Sequence, residues 1–365
     1  MPLPANRPAL QVDLAALGRN LETLRELSGP AEVAPVVKAD AYGLGAEEVC
    51  RHLAEHHGVA SFFVAYAVEA RPVRHAVNRP GIGRCDLYVL NGFQEADATR
   101  FDLLSLRPVL NTQAECAAWA QRGGPCAVAV DLGMNRLGLA PSELGGLAAR
   151  TGLDRDDVKL VCGHYSHAGT PGAPQTARQA DAFARLAAAA APAFPKARFS
   201  LSNSGGVLSP HQGAERLVRP GVALYGGAPD GDPESALEAV ATLTAPVLGV
   251  RTVEAGGTVG YDGTWAAPGA RRVATLAMGY ADGYLRALSG RGLAWIGGAV
   301  CPVVGRVSMD LVAVDVTEAG EVAPGDRAEL FGLHLPIDRI ARLAGTISYE
   351  LLAAMGPRVE RRYAW

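Results

Sequence analysis

Between residues 33 and 219 the chain repeats one pattern: a short apolar, β-branched run, then a helical stretch or a turn. The runs are Val33 to Val37, Ser61 to Ala65, Asp86 to Leu90, Leu106 to Leu110, Ala127 to Asp131, Lys159 to Gly163, Arg198 to Ser202 and Arg216 to Arg219. Runs that are apolar throughout suit strands buried on both faces, and such strands alternating with helices are parallel. Eight of them predict an α/β chain with a (β/α)8 TIM-like barrel. A doubly wound open sheet is the structural alternative. Polar, reactive side chains just past several runs, at Lys38, Arg136, His167, Ser204 and Arg219, favour the barrel, whose chemistry gathers at the C-terminal strand ends. The helices between the runs are clearest at Thr112 to Gln121 and Gln175 to Ala191, while the segment after Ser204 is short. Ahead of the first run, Asp13 can cap a helix carrying Leu14, Leu17, Leu21, Leu24 and Leu27, stopped at Gly29-Pro30.

After about Gly231-Asp-Pro233 the texture changes. β-rich runs follow at Thr242 to Thr252, Arg272 to Met278, Leu293 to Val300 and Leu311 to Val316, with turn signals at Asp262-Gly263 and Asp282-Gly283. One helix, roughly Pro336 to Leu343, interrupts them. The 365 residues exceed one ordinary core but suit a barrel of about 250 residues with a smaller domain. We expect a barrel domain over residues 1–232 and a mostly β domain over 233–365, with residues 1–12 a candidate to pair with the latter.

With 49% hydrophobic and 19% charged residues, disorder is excluded as the main state. A net charge of -3 and the lack of a basic run give no pull toward nucleic acid or an anionic membrane, leaving small-molecule chemistry. The six cysteines have no C-x-x-C spacing and several lie inside apolar runs, which reads as reduced thiols. No export signal opens the sequence and no stretch is long and apolar enough to span a bilayer, so the expected location is the cytoplasm. His164 and His167 could be read as a metal pair, but no acidic or cysteine-rich motif accompanies them, and no metal is expected.

Lys38 comes where the apolar run Val33 to Val37 ends. At a barrel strand's C-terminal tip a desolvated lysine can form a Schiff base with a carbonyl cofactor; a lysine that merely snorkels from a strand end would look the same. Gly43 and Gly45 allow the backbone to turn sharply into the next helix.

The string Val36-Val-Lys-Ala-Asp-Ala-Tyr-Gly43 resembles the pyridoxal-phosphate lysine segment of the alanine racemases. Further segments match that family in order. Asp131-Leu-Gly-Met-Asn-Arg136-Leu-Gly is similar to its arginine loop, Gly163-His-Tyr-Ser-His167-Ala to its histidine segment, and Ser202-Asn-Ser204 with Arg219-Pro-Gly221-Val222-Ala-Leu-Tyr225-Gly to its phosphate and ring-nitrogen portion. In the second half, Gly260-Tyr261-Asp-Gly-Thr-Trp265 resembles the catalytic tyrosine segment, Met278-Gly-Tyr-Ala-Asp-Gly-Tyr284 a glycine-rich aromatic motif, and Gly305-Arg-Val-Ser-Met309-Asp310 the substrate loop.

The resemblance implies the following. Lys38 holds pyridoxal 5'-phosphate covalently; Tyr42, Ser204, Gly221, Val222 and Tyr349 bind its phosphate; His167 lies beside its ring; Arg219 faces its ring nitrogen. Arg136 and Met309 bind the substrate, alanine. Lys38 and Tyr261 are the two bases, serving the D- and L-enantiomer respectively, with a relay from Tyr261 through His167 to Arg219. Tyr261 comes from a partner subunit, so a homodimer with shared active sites is implied. The product would supply D-alanine for peptidoglycan or L-alanine for catabolism. One departure concerns Ala129, where many members carry a lysine that steadies the arginine; Asn135, where glycine is common, belongs to the same local difference. The rivals are a broad-specificity amino-acid racemase, a decarboxylase for basic amino acids, and a non-catalytic protein that binds pyridoxal phosphate.

Overall fold

The computed structural model describes residues 7–209 and 215–365. The chain forms two compact units, one made of Gly18–Ala41 with Gly45–Leu224, the other of the segment up to Leu17, Tyr42–Leu44 and Tyr225–Trp365. The first strand, β1 (Ala9–Asp13), belongs to the second of these.

The first unit carries eight short parallel strands: β2 (Glu32–Val33), β3 (Ser61–Val64), β4 (Asp86–Val89), β5 (Leu106–Leu110), β6 (Cys126–Ala129), β7 (Val158–Cys162), β8 (Arg198–Ser200) and β9 (Leu217–Val218). Strands β3 to β8 pair in chain order, and β2 pairs with β9. The ring closes on one side through a parallel bridge between Val36 and Phe63. On the other it closes through Arg216 N–H to the Phe199 carbonyl at 3.1 Å and Arg219 N–H to the Ser202 carbonyl at 2.8 Å. This is the expected barrel. The first run is the one that departs from expectation: Pro35 has no N–H to give a ladder, so the strand stops at Val33 and returns only as the bridge at Val36.

The helix Leu14–Ser28 is capped by Asp13, whose Oδ1 accepts from the Ala16 N–H at 2.8 Å. Leu14, Leu17, Leu21 and Leu24 are buried, but Leu27 is exposed, because the apolar stripe passes next through position 28, where Ser28 is buried. Thr112 caps Gln113–Ala120 with a bond from the Glu115 N–H at 3.1 Å.

The second unit adds β10 (Ala241–Val253), β11 (Thr258–Val259), β12 (Trp265–Ala266), β13 (Arg271–Leu276), β14 (Leu293–Ile296), β15 (Ala299–Val304), β16 (Val312–Asp315), β17 (Arg327–Phe331) and β18 (Glu360–Ala364). Its sheet runs β13-β16-β15-β14-β17-β10-β1-β18, and β10 also pairs with β13, so six strands close on themselves. Strand β10 serves three neighbours, β17, β1 and β13, helped by an irregularity between Val247 and Gly249 that bends it. The expected single run Leu293 to Val300 is instead a hairpin of β14 and β15, turning at Gly297-Gly298 with φ of 58° and 78°. Among the described residues no helix is long and apolar enough to cross a membrane. All six cysteines are buried and unpaired.

Candidate active site

Lys38 opens a turn of the opposite hand to an ordinary helix: Ala39, Asp40, Ala41 and Tyr42 have φ of 51°, 57°, 53° and 55°. Each such residue without a glycine's freedom costs roughly 1–2 kcal/mol, so the surroundings must impose the turn. They do so through four hydrogen bonds: Ala41 N–H to the Val37 carbonyl at 2.9 Å, Gly45 N–H to the Asp40 carbonyl at 2.9 Å, Ala46 N–H to Asp40 Oδ1 at 2.7 Å and Ala39 N–H to Glu69 Oε1 at 2.9 Å. The reversal expected at the glycines thus begins four residues before Gly43, at Ala39. That glycine is still required, at φ 82°, because a β-carbon there would lie 2.4 Å from the Leu352 carbonyl oxygen.

Burial holds the half-buried Lys38 ammonium below its usual basicity, the Arg136 guanidinium lowers it further, and the Glu69 carboxylate opposes both. The histidine among these charges is His164. Burial, then Arg219, Arg136 and Lys38, depress its pKa to about 3, so it is a neutral ring whose Nε2 lies 3.1 Å from the Asn203 amide nitrogen. His167, expected beside the cofactor, is exposed, with its Nδ1 2.7 Å from Ser166 Oγ. The two histidines take different partners. His164 is the second residue past the end of β7 at Cys162, close to the strand tip, whereas His167 is already out on the loop.

Arg219 is 4% exposed and donates to Ser200 Oγ and to the carbonyls of Gly163 and Leu201, all neutral acceptors. Among the described residues no carboxylate pairs with it. A buried guanidinium so placed carries an uncompensated charge. Ser204 is buried at the start of Ser204–Leu208, and its Oγ accepts from the Gly221 N–H at 2.9 Å and the Ala223 N–H at 3.2 Å; Val222, between them, is fully buried. Glu215, which the sequence reading passed over, fixes this corner by accepting the Ser202 N–H at 2.8 Å and both the Leu201 N–H and the Ser202 hydroxyl at 2.5 Å.

Arg136 is exposed on the loop after β6. Asp131 Oδ1 shapes that loop by gathering the N–H groups of Gly133, Met134 and Asn135 at 2.8, 2.9 and 3.1 Å, with Asn135 at φ 56°. Where the family has its lysine, Ala129 ends β6 and leaves the loop's shape to this aspartate.

In the second unit Tyr42 stands between Tyr225 and Tyr349, with ring centroids 5.0 and 6.0 Å away. Burial and the nearby Asp338 push the Tyr349 phenol up to about 12, and burial and Tyr349 raise that of Tyr42. Both stay protonated donors at neutral pH. Tyr261 is 70% exposed between Gly260 at φ 76° and Asp262 at φ 62°, and Asp262 is ion-paired with Arg306. Met309, 53% exposed, lies on the segment that Gly279, Tyr280 and Ala281 pack against: Tyr280 N–H reaches the Ser308 carbonyl at 3.1 Å and Ala281 N–H the Met309 carbonyl at 3.0 Å. Arg358 ties the two strings together, binding Asp282 Oδ1 at 2.7 Å and Asp310 Oδ1 at 2.8 Å.

A lysine amine of reduced basicity, a buried hydroxyl with clustered backbone N–H groups and a buried arginine without a carboxylate fit an electrophilic carbonyl cofactor that carries an anionic group. Among the described residues no group of three histidine, cysteine or carboxylate side chains converges to hold a metal ion.

The alanine racemase N-terminal domain model matches residues 12–229 and the C-terminal domain model residues 240–363. The chain is 44% identical over 362 residues to an alanine racemase of a Methylobacterium species, covering 97% of each chain. It is 40% identical to a catabolic alanine racemase of Rhizobium johnstonii, covering 97% of this chain and 94% of the relative. Among solved structures it is similar to an alanine racemase from Bartonella henselae with covalently bound pyridoxal phosphate, with a TM-score of 0.87 and 31% identity, covering 98% of this chain and 99% of that one.

Proposed function

The chain belongs to the alanine racemase family of isomerases, and from that premise we propose that it interconverts L- and D-alanine with pyridoxal 5'-phosphate held on Lys38. The observation that carries the reading is Lys38 itself, an amine of reduced basicity at a barrel strand tip facing Arg136. The cofactor, when bound, supplies the electron withdrawal that makes an amino acid's Cα proton removable. Ser204, Gly221 and Val222 would hold its phosphate, aided by the phenols of Tyr42 and Tyr349. Arg219, which essentially never gives up its proton, would keep the cofactor's ring nitrogen unprotonated and so favour simple return of a proton to Cα.

Arg136 binds the substrate carboxylate through its planar fork, and Met309 borders the substrate. Inversion needs proton transfer on opposite faces of Cα, so two acid-base groups are the economical arrangement. Lys38 handles the proton of D-alanine and Tyr261 that of L-alanine. A phenol needs positive charge nearby to act as a base at neutral pH. We give the intermediate place in that relay to His167, with Arg219 behind it. Tyr261 acts from a second copy of the chain in a head-to-tail homodimer; the exposed Tyr261, Tyr280, Met309 and Leu311 support that reading. Six buried thiols suit the reducing cytoplasm, where the reversible reaction would feed either peptidoglycan or catabolism.

The test is Cα hydrogen exchange in deuterated buffer with cofactor-loaded protein, comparing L- and D-alanine with serine, lysine and arginine. Exchange with inversion for alanine, far above the others, is expected. Inert alanine beside a larger amino acid that exchanges or loses carbon dioxide would move the substrate to that amino acid. Cofactor held with no exchange at all would leave only a binding protein.

A further inference from the structure

Glu69 has no part in the chemistry above, yet its carboxylate joins the tips of two neighbouring strands. Oε2 accepts the Ala65 N–H at 2.7 Å and the Tyr66 N–H at 3.1 Å, just past the end of β3. Oε1 accepts the Ala39 N–H at 2.9 Å, one residue beyond Lys38. We propose that Glu69 is a positioning residue for Lys38, anchoring the lysine's backbone to the next strand tip and setting a negative charge beside an amine otherwise faced by the Arg136 cation. The proposal rests on the reading of Lys38 as the cofactor lysine.

Three points support it. Ala39 is the first residue of the left-handed turn, and a carboxylate acceptor there makes a charge-assisted bond at the point where the strained backbone begins. The carboxylate is itself held still: Glu69 N–H returns a bond to the Tyr66 carbonyl at 3.0 Å, so side chain and main chain of residues 66–69 close on each other as in a capping box. The groups that face Lys38 are Arg136 from the loop after β6, His164 from the segment after β7, and Glu69. Arg136 favours the neutral amine, His164 is uncharged, and among the described residues Glu69 alone favours the ammonium. A lysine that both takes and returns a proton needs both forms within reach at its working pH. Without Glu69 the balance tips to the neutral amine.

The experiment compares full-length parent protein with Glu69→Gln and Glu69→Asp. Each is stripped of cofactor with hydroxylamine and re-exposed to pyridoxal phosphate across a pH series. Borohydride quenching and peptide mass then give the fraction captured on Lys38. Capture needs the unprotonated amine, so loss of the Glu69 charge should move its midpoint to lower pH by about one unit. Backbone hydrogen exchange in residues 38–42 should rise roughly tenfold with loss of the charge-assisted bond. Glu69→Asp, which keeps the charge but shortens the reach, should leave the midpoint near the parent's and raise only the exchange. A Glu69→Gln midpoint that stays with the parent's overturns the proposal, whatever its exchange does, since a merely structural carboxylate would not set the titration. Should Glu69→Gln fail to fold, Glu69→Asp decides: faster exchange in residues 38–42 at an unmoved midpoint supports the proposal, and unchanged exchange overturns it. A parent protein that captures no cofactor on Lys38 at any pH defeats the cofactor reading instead, and exchange in the two variants still tests the Glu69 anchor.

Discussion

Gly279 passes so close to Met309 that a β-carbon on the glycine would lie 2.2 Å from the Met309 carbonyl oxygen. The glycine's backbone is extended, at φ -151°, so nothing but space demands it. This explains why the string Met278-Gly-Tyr-Ala-Asp-Gly and the string around Met309 occur together. Gly279→Ala should push the two strands of chain apart, destabilise the fold by about 1–3 kcal/mol and raise KM for alanine by displacing Met309. Thermal unfolding and steady-state kinetics check it; an unmoved melting temperature would mean that the segment yields without cost.

Lys38→Ala should abolish racemisation in both directions, whereas Tyr261→Phe should slow proton removal from L-alanine more than from D-alanine. Single-turnover loss of Cα deuterium, followed separately for each enantiomer, separates the two bases. Equal losses in Tyr261→Phe would contradict the division of labour.

His164 should make the fold sensitive to acid. Its folded pKa of about 3 lies below the 6.5 of the free side chain. Between these values the unfolded chain binds a proton that the folded chain refuses, so stability falls as pH drops through that window and owes nothing to His164 above it. In His164→Gln the denaturant midpoint should depend less steeply on pH there. The same substitution should cost less turnover than His167→Ala, and the reverse order would move the relay to His164.

Arg136→Lys should raise KM roughly tenfold with a smaller effect on kcat, because a planar fork that makes two parallel bonds to a carboxylate is replaced by a point charge. A fall in kcat at constant KM would instead assign Arg136 to the chemical step.

Much of this site lies open in the sequence because barrel strands deliver their residues one tip at a time. Lys38, Ser204 and Arg219 each come just past an apolar run. What stays hidden acts across long separations in the chain: Glu69 reaches back to Ala39, Glu215 to Ser202, and Asp338 to the Ala228 N–H at 2.8 Å, and no periodicity marks such partners. The residues alone do not separate His164 from His167, because two histidines three residues apart look alike until the strand's end is known. The turn after Lys38 could not be read either, since Ala-Asp-Ala-Tyr carries none of the glycine that left-handed backbone usually needs.

That turn has a consequence for how the protein assembles. A free Ala-Asp-Ala-Tyr peptide would settle in right-handed or extended shapes, so residues 39–42 contribute nothing to early collapse. The bonds that force them into place come from Glu69, from the capping of Ala46 by Asp40 and from the strand tips, all of which must exist first. The reactive lysine therefore receives its setting as a last step, and a half-made molecule displays only an ordinary, strongly protonated amine. Covalent uptake of cofactor then reports completion: during refolding from denaturant it should trail the recovery of far-ultraviolet ellipticity, so that unfinished chains are passed over.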